Sequence, residues 1–374
     1  MKKMMAIGLA AVTAATLLAG CGGSSSASKA ETGAAAESTS ETAAAKQAEG
    51  GDASKELNIY MWSDDISEDL VSNFEKENDC KVNFTYMSDN ADAINQLTAG
   101  AGDKYDLVMT CDAYMESLIK GGYLEKLDTS KIPNAEKNMN KTYWREDIRD
   151  YCMPYLMNYI YVVYNKDTCP IEITSYNDLI NPKLKGQIGS VDGARNLFPI
   201  ALVALGYDPN STDEKEIKEA YEWLQKYNEN VAAYGSTEQN LVNGTISVML
   251  AYDGNTKWAM DQMGDKNSLV IAPFKKDPVQ LGMDLYVIPK GAKHQDLAYK
   301  FLDYIADADV IAKNLDEYPY SCPNDAAVEA ASDEYKNSPA FNFDYKDNIF
   351  FQKDVGDALT IYDKYYQMLK VKAQ

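Results

Sequence analysis

The sequence predicts an α/β chain folded as two lobes, each a mainly parallel sheet flanked by helices, and three observations carry this reading. Short apolar segments rich in β-branched and aromatic residues alternate with segments of helical periodicity, the pattern of a parallel sheet with helices on its faces. About 320 residues follow a low-complexity start, more than one hydrophobic core usually supports. A long aromatic strand in the middle and a later apolar strand give the chain two places to cross between lobes, so a hinge joins them.

The chain opens with Lys2 and Lys3 and an almost unbroken apolar stretch from Ala6 to Ala19. This stretch is too short to remain as a membrane span and ends in small residues, as a cleaved export signal does. Leu18-Ala19-Gly20-Cys21 resembles a lipobox, so residues 1–20 read as a lipoprotein signal peptide and Cys21 as the lipid anchor. Residues 21–54, nearly all Gly, Ser, Ala, Thr, Glu and Lys with no aromatic residue, cannot bury enough surface to offset ordering entropy and read as a tether. Beyond residue 54 no apolar run approaches transmembrane length.

The net charge of -21 becomes -23 once Lys2 and Lys3 are removed with the signal. That balance repels nucleic acid and favours cationic ligands, although it also serves solubility. Five cysteines besides Cys21 (Cys80, Cys111, Cys152, Cys169 and Cys322) form no C-x-x-C pair. An odd number of that kind leaves at least one thiol free and argues against a zinc site.

In chain order, strands are expected at LNIYMW (57–62), CKVNFTYM (80–87) and YDLVMT (105–110), separated by helices that carry Ile66, Leu70, Val71 and Phe74, then Ile94 and Leu97. YLMNYIYVVY (155–164) is the crossing strand. A second set follows: QIGSV (187–191), a helix from Arg195 to Leu205 stopped by Gly206, a helix from Asp213 to Tyr227, then TISVMLAY (245–252) and SLVIAPF (268–274). LGMDLYVIP (281–289) returns to the first lobe, and a helix from Val355 to Leu369 presents Leu359, Tyr362, Tyr366 and Leu369 on one face. Lobe 1 is thus 55–161 with 284–326, and lobe 2 is 162–283 with 327–374.

Ligands of open α/β sheets bind beyond the carboxyl ends of the strands. Each such end here carries an aspartate: Trp62-Ser63-Asp64-Asp65, Ser88-Asp89, Cys111-Asp112, Asp192-Gly193 and Tyr252-Asp253. Helix capping accounts for any one of them. Together with Trp62, Tyr114, Tyr252 and Tyr320 they make the combination of carboxylates and π faces that binds ammonium groups. Asp284 stands in the middle of an apolar strand, where a carboxylate is costly unless a cation or several donors satisfy it.

Enzyme signatures are thin. The one histidine, His294, lies in a polar loop and reads as solvent exposed, which leaves no histidine triad and no multi-histidine metal site. G-x-S-x-G, Walker and G-x-G-x-x-G motifs are missing. A pair of carboxylates doing glycosidase chemistry on a surface glycan is the enzymatic alternative. The expectation is a protein that is not an enzyme and needs no cofactor.

From Leu57 onward the sequence resembles the spermidine/putrescine-binding proteins of polyamine ABC transporters, a type II periplasmic-binding-protein-like fold. The stretches that carry the resemblance are LNIYMW-S (57–63), GDKYDLVMT (102–110), YCMPYLMNYIYVVYN (151–165), DGARNLFPIALVALGY (192–207), GMDLYVIP (282–289), Y-S-C-P-N (320–324), Q-K-D-V-G (352–356) and IYDKYYQML (361–369). The resemblance implies that Trp62 and Ser63 begin the pocket, that Cys111 stands at a frequent serine position beside Asp112 and Tyr114, and that Asp284 pairs with a ligand amine. It implies pocket roles for Tyr320 and Gln352, and an aromatic wall at Tyr252.

Departures are visible at Gly193 and Asn196, where the family commonly has acids, and at Gly282, where a tryptophan usually stacks. Asp65, Asp192 or Asp253 would then replace the lost amine grip. The implied function is an extracytoplasmic, lipid-anchored, monomeric binding component that hands a polyamine to membrane permease subunits. A neutral or zwitterionic solute in the same clamp is the competing expectation.

Overall fold

Period-two burial defines the first strand, in which Leu57, Ile59 and Met61 are fully buried and pack towards helices on the sheet face. The computed structural model describes residues 55–372 except 64, 89 and 266; the expected signal, tether and Cys21 lie outside the described residues. Ten strands follow in order: β1 (Glu56–Met61), β2 (Lys81–Tyr86), β3 (Leu107–Cys111), β4 (Met153–Asn165), β5 (Ile188–Ser190), β6 (Val231–Tyr234), β7 (Val248–Tyr252), β8 (Leu269–Ile271), β9 (Val279–Val287) and β10 (Ile349–Phe351).

The sheet order is β2-β1-β3-β9-β4-β7-β5-β6, with β10 on β9 and β8 on β4. At one end β1 runs parallel to β2 and β3, and at the other β5 runs parallel to β6 and β7. The two parallel halves meet through β4 and β9, antiparallel to each other; β9 is antiparallel to β3 and β4 to β7. The expected crossing strand, 155–164, is β4, and the expected return strand, 281–289, is β9.

Two hydrophobic cores flank this sheet. One gathers Leu57, Phe74, Trp144, Tyr286 and Phe301; the other gathers Tyr176, Phe198, Leu224 and Tyr362. Along β4, Tyr161 and Val163 belong to the first while Ile160, Val162 and Tyr164 belong to the second. The same alternation on β7 sends Met249 and Ala251 to the first core, and Val248 and Leu250 to the second. Successive side chains of a strand point to opposite faces, so at the seam the cores are divided by the face of a strand.

The expected helices form, the C-terminal one at Leu359–Lys372 rather than from Val355, where a 3-10 turn over Gly356–Ala358 precedes it. Asp213 caps Glu214–Asn228 by accepting from the amides of Lys215 and Glu216. Ala194–Leu205 stops at Gly206, whose φ of 82° and N–H bond to the Leu202 carbonyl close the last turn. On the C-terminal helix, Leu359–Lys372, Tyr362 and Leu369 are buried as expected, and Tyr365 is buried where the sequence points to Tyr366.

Two further expectations are resolved. His294 is half-buried rather than exposed: its backbone amide donates to Asp106 Oδ1 at 2.8 Å and its Nδ1 lies 3.0 Å from Asp106 Oδ2. A carboxylate from the neighbouring lobe segment thus pins the loop that sequence composition alone marks as polar. Cys80, Cys111, Cys152, Cys169 and Cys322 are all unbridged.

Gly206→Ala should lower stability by about 1–2 kcal/mol, the cost of a side chain in the left-handed region, read as a lower urea midpoint with unchanged slope.

Candidate functional site

The loops that leave the carboxyl ends of β1, β2, β3, β7 and β10 converge on the faces of β4 and β9 and enclose a cavity of about 320 Å³. That size lies in the range of small-molecule sites. Its walls are Trp62, Ser63 and Asp65 after β1, Asn90 after β2, Cys111 and Asp112 at the end of β3, and Asn158 and Ile160 on β4. Asn196, Tyr252, Asn255, Gln280, Gly282, Met283, Asp284, Tyr320 and Gln352 complete it. No lysine or arginine is among these lining residues.

Asp284 sits on β9 opposite Cys111 of β3 and Leu156 of β4. Its Oδ2 accepts from Asn158 Nδ2 at 2.7 Å, and the Trp62 indole N–H also bonds it. Burial pushes its pKa up to about 6 against the pull of those two donors. Asp112 is buried as well, its carboxyl raised to about 7 by desolvation although Arg145 opposes the shift. Arg145 Nη1 is 3.4 Å from Asp112 Oδ2 while its Nε and Nη2 hold Asp147. Asp112 Oδ1 is buried without a hydrogen-bond partner among the described residues.

Backbone contacts fix the remaining walls. The Asp65 carbonyl accepts from the Tyr155 hydroxyl at 2.9 Å and from Asn314 Nδ2 at 2.8 Å. Gln352 is held by an indirect device. Pro199 has no N–H for the Arg195 carbonyl four residues earlier, and Gln352 Nε2 donates to that carbonyl at 2.7 Å instead. Tyr320 lies so close over Gly254 that a Cβ there would fall 2.6 Å from its ring. Cys111 has its thiol pKa raised by burial, so it lines the cavity as a neutral group.

Of the thirteen residues the sequence singles out, ten line this cavity: Trp62, Ser63, Asp65, Cys111, Asp112, Asn196, Tyr252, Asp284, Tyr320 and Gln352. Three do not. Asp192 is held by Lys370 Nζ at 3.0 Å and by the Tyr366 hydroxyl; despite partial burial its pKa is lowered by those bonds. Asp253 is fully buried and accepts from the amides of Gly254 at 2.9 Å and Ser321 at 3.3 Å, so it fastens the Tyr320 loop. Tyr114 packs half-buried against the first core because the 3-10 turn Asp112–Tyr114 carries it away from Asp112. Asp64 and Asp89 lie outside the described residues.

Sequence reading misses Asn90, Asn158, Ile160, Asn255, Gln280 and Met283 as lining residues. Two carry a legible signal. Gln280 is four residues before Asp284, hence on the same face of a strand, and Asn158 is the polar break in MPYLMNYIYVVYN. The departure at Gly282 has a geometric counterpart: a Cβ there would meet nothing nearer than the Asn158 carbonyl at 3.9 Å.

Residues 69–342 match the family described as bacterial extracellular solute-binding proteins. The chain belongs to that family. Among relatives of this binding protein, a spermidine/putrescine-binding periplasmic protein of Salmonella typhimurium is 32% identical over 323 residues, covering 84% of this chain and 91% of that one. The putrescine-binding periplasmic protein PotF of Escherichia coli is 30% identical over 307 residues, 76% of this chain and 82% of its own. A solved structure from Listeria monocytogenes, titled as a spermidine/putrescine ABC transporter, superposes with a TM-score of 0.76 at 28% identity, covering 85% of this chain and 99% of that one. The two-lobed type II fold is therefore this binding protein's fold.

Linkage follows from the raised carboxyls. Asp284 takes up its proton more readily folded than unfolded, so its stabilising effect is complete below pH 3.8 and is lost as pH rises through about 6. At about 1.4 kcal/mol per pH unit the span from 3.8 to about 6 bounds the loss at about 3 kcal/mol. Without ligand, Asp284→Asn should flatten the decline of thermal stability between pH 4 and 7, measured by scanning calorimetry; an unchanged decline would contradict the assignment.

Proposed function

We propose that this binding protein captures a polyamine, an organic cation of the putrescine or spermidine kind, between its lobes and delivers it to ABC permease subunits without chemical change. The observation that carries the reading is that Asp65, Asp112 and Asp284 line one cavity together with the rings of Trp62, Tyr252 and Tyr320. Carboxylates partly withdrawn from water gain most from an ammonium group, and ring faces suit the methylenes and cation between them. The names of the relatives agree with that cargo.

The moving parts in this reading are lobe 1 (55–161 and 284–326) and lobe 2 (162–283 and 327–374), which close about β4 and β9. The protein acts outside the cytoplasm as a monomer, held to the membrane by lipid on Cys21. In this reading it has no catalytic role and no cofactor.

Calorimetry with putrescine and spermidine should show binding, weakened by about 1.5–3 kcal/mol in Asp284→Asn, the scale of a hydrogen bond to a charged group. Because burial raises Asp112 to about 7 and Asp284 to about 6 and a cation favours the charged forms, affinity should rise from pH 5 to 8, with proton release at the lower end of that range. Absence of binding by either amine would refute the cargo. Separately, Cys21→Ala should shift the protein from the membrane to the soluble fraction; unchanged fractionation would refute the anchor.

A further inference from the structure

The cavity is electrically lopsided. Gln280, Gly282 and Asp284 alternate along one face of β9, so the first and last are ~13 Å apart at ~3.4 Å per residue. The three carboxylates gather about the Asp284 end. At the Gln280 end the lining polar groups are Asn196, Gln280, Gln352 and the Tyr252 hydroxyl, and no described carboxylate lines that end. Asp192, the nearest acid in sequence, is engaged by Lys370 and Tyr366.

Hydrogen bonds fix which way these amides face. Asn196 Nδ2 donates to the Asp192 carbonyl at 2.7 Å and to the Tyr252 hydroxyl at 2.9 Å. A carbonyl only accepts, so Asn196 Oδ1 must turn the other way. There it receives Nε2 of both Gln280 and Gln352, each at 3.4 Å. Gln280, fully buried, is thereby left with Oε1 as an acceptor that has no partner among the described residues. The Tyr252 hydroxyl already accepts from Asn196, which leaves its own O–H to donate. One acceptor and one donor, both neutral, thus belong to residues that line the cavity end without a carboxylate.

We propose, resting on the polyamine reading above, that the preferred solute has an ammonium at one end and an uncharged secondary amide at the other: a mono-N-acylated polyamine. Its ammonium lies among Asp65, Asp112 and Asp284, and its methylenes pass over the open space at Gly282. Its amide N–H donates to Gln280 Oε1 and its carbonyl accepts from Tyr252. A second ammonium at the Gln280 end would be desolvated with no opposing charge, whereas an amide is matched group for group.

The test is calorimetry on the purified chain with putrescine and spermidine against their mono-N-acetyl derivatives. The acetylated forms should bind at least tenfold more tightly than their parents. Gln280→Glu, which places a carboxylate at the neutral end, should reverse the order, and Tyr252→Phe should weaken the acetylated ligands more than the parents. Parents that bind the wild type as tightly as, or more tightly than, their derivatives would overturn this inference while leaving the polyamine reading intact. Failure of all four amines to bind would overturn both, and an unaltered ratio in both variants would overturn the assigned contacts.

Discussion

Removing a carboxylate from water costs several kcal/mol unless donors or a cation compensate it, and the molecule places one, Asp284, on the strand where its two halves join. Among the described residues Asn158 and Trp62 bond it; both are neutral, so neither balances its charge. The seam between β4 and β9 is therefore where a positive guest changes the energy most. A lobe movement that shuts the cavity raises the cost of the empty anionic site and the gain of the filled one together, because both grow as water is excluded.

Much of the surrounding structure holds that seam in register. Asp253 anchors the loop of Tyr320, Tyr155 and Asn314 hold the Asp65 carbonyl, and Pro199 frees a carbonyl that positions Gln352. None of these groups needs to touch a solute. Each locks a rotamer or loop whose drift would spoil a contact in the cavity, the work of a supporting shell. Their burial explains why the aspartates that recur at strand ends divide into two populations, those that face the cavity and those spent on backbone amides or a lysine.

The elements and their order were legible because local rules set them: period two in β1 and β9, helical spacing closed by Gly206, an aspartate cap at 213, and an aromatic run long enough to cross. The carboxyl ends of the strands were legible as the site for the same reason, and Asp284 stood out because its neighbours are apolar. His294, Tyr114 and Tyr365 were misplaced or overlooked because partners distant in sequence, or the rotation of a single turn, decide their exposure.

Sequence alone thus determined the fold class, the crossing strands and most of the residues that meet at the cavity, since each rests on interactions within a few positions of the chain. Tertiary structure decided which acids face the gap, that Lys370 and Tyr366 claim Asp192, and that the cavity is anionic at one end and amide-lined at the other. Those outcomes depend on contacts between residues from 56 to 178 positions apart, and hydrogen-bond direction at Asn196 and Gln280 exists only once their partners have been brought within reach.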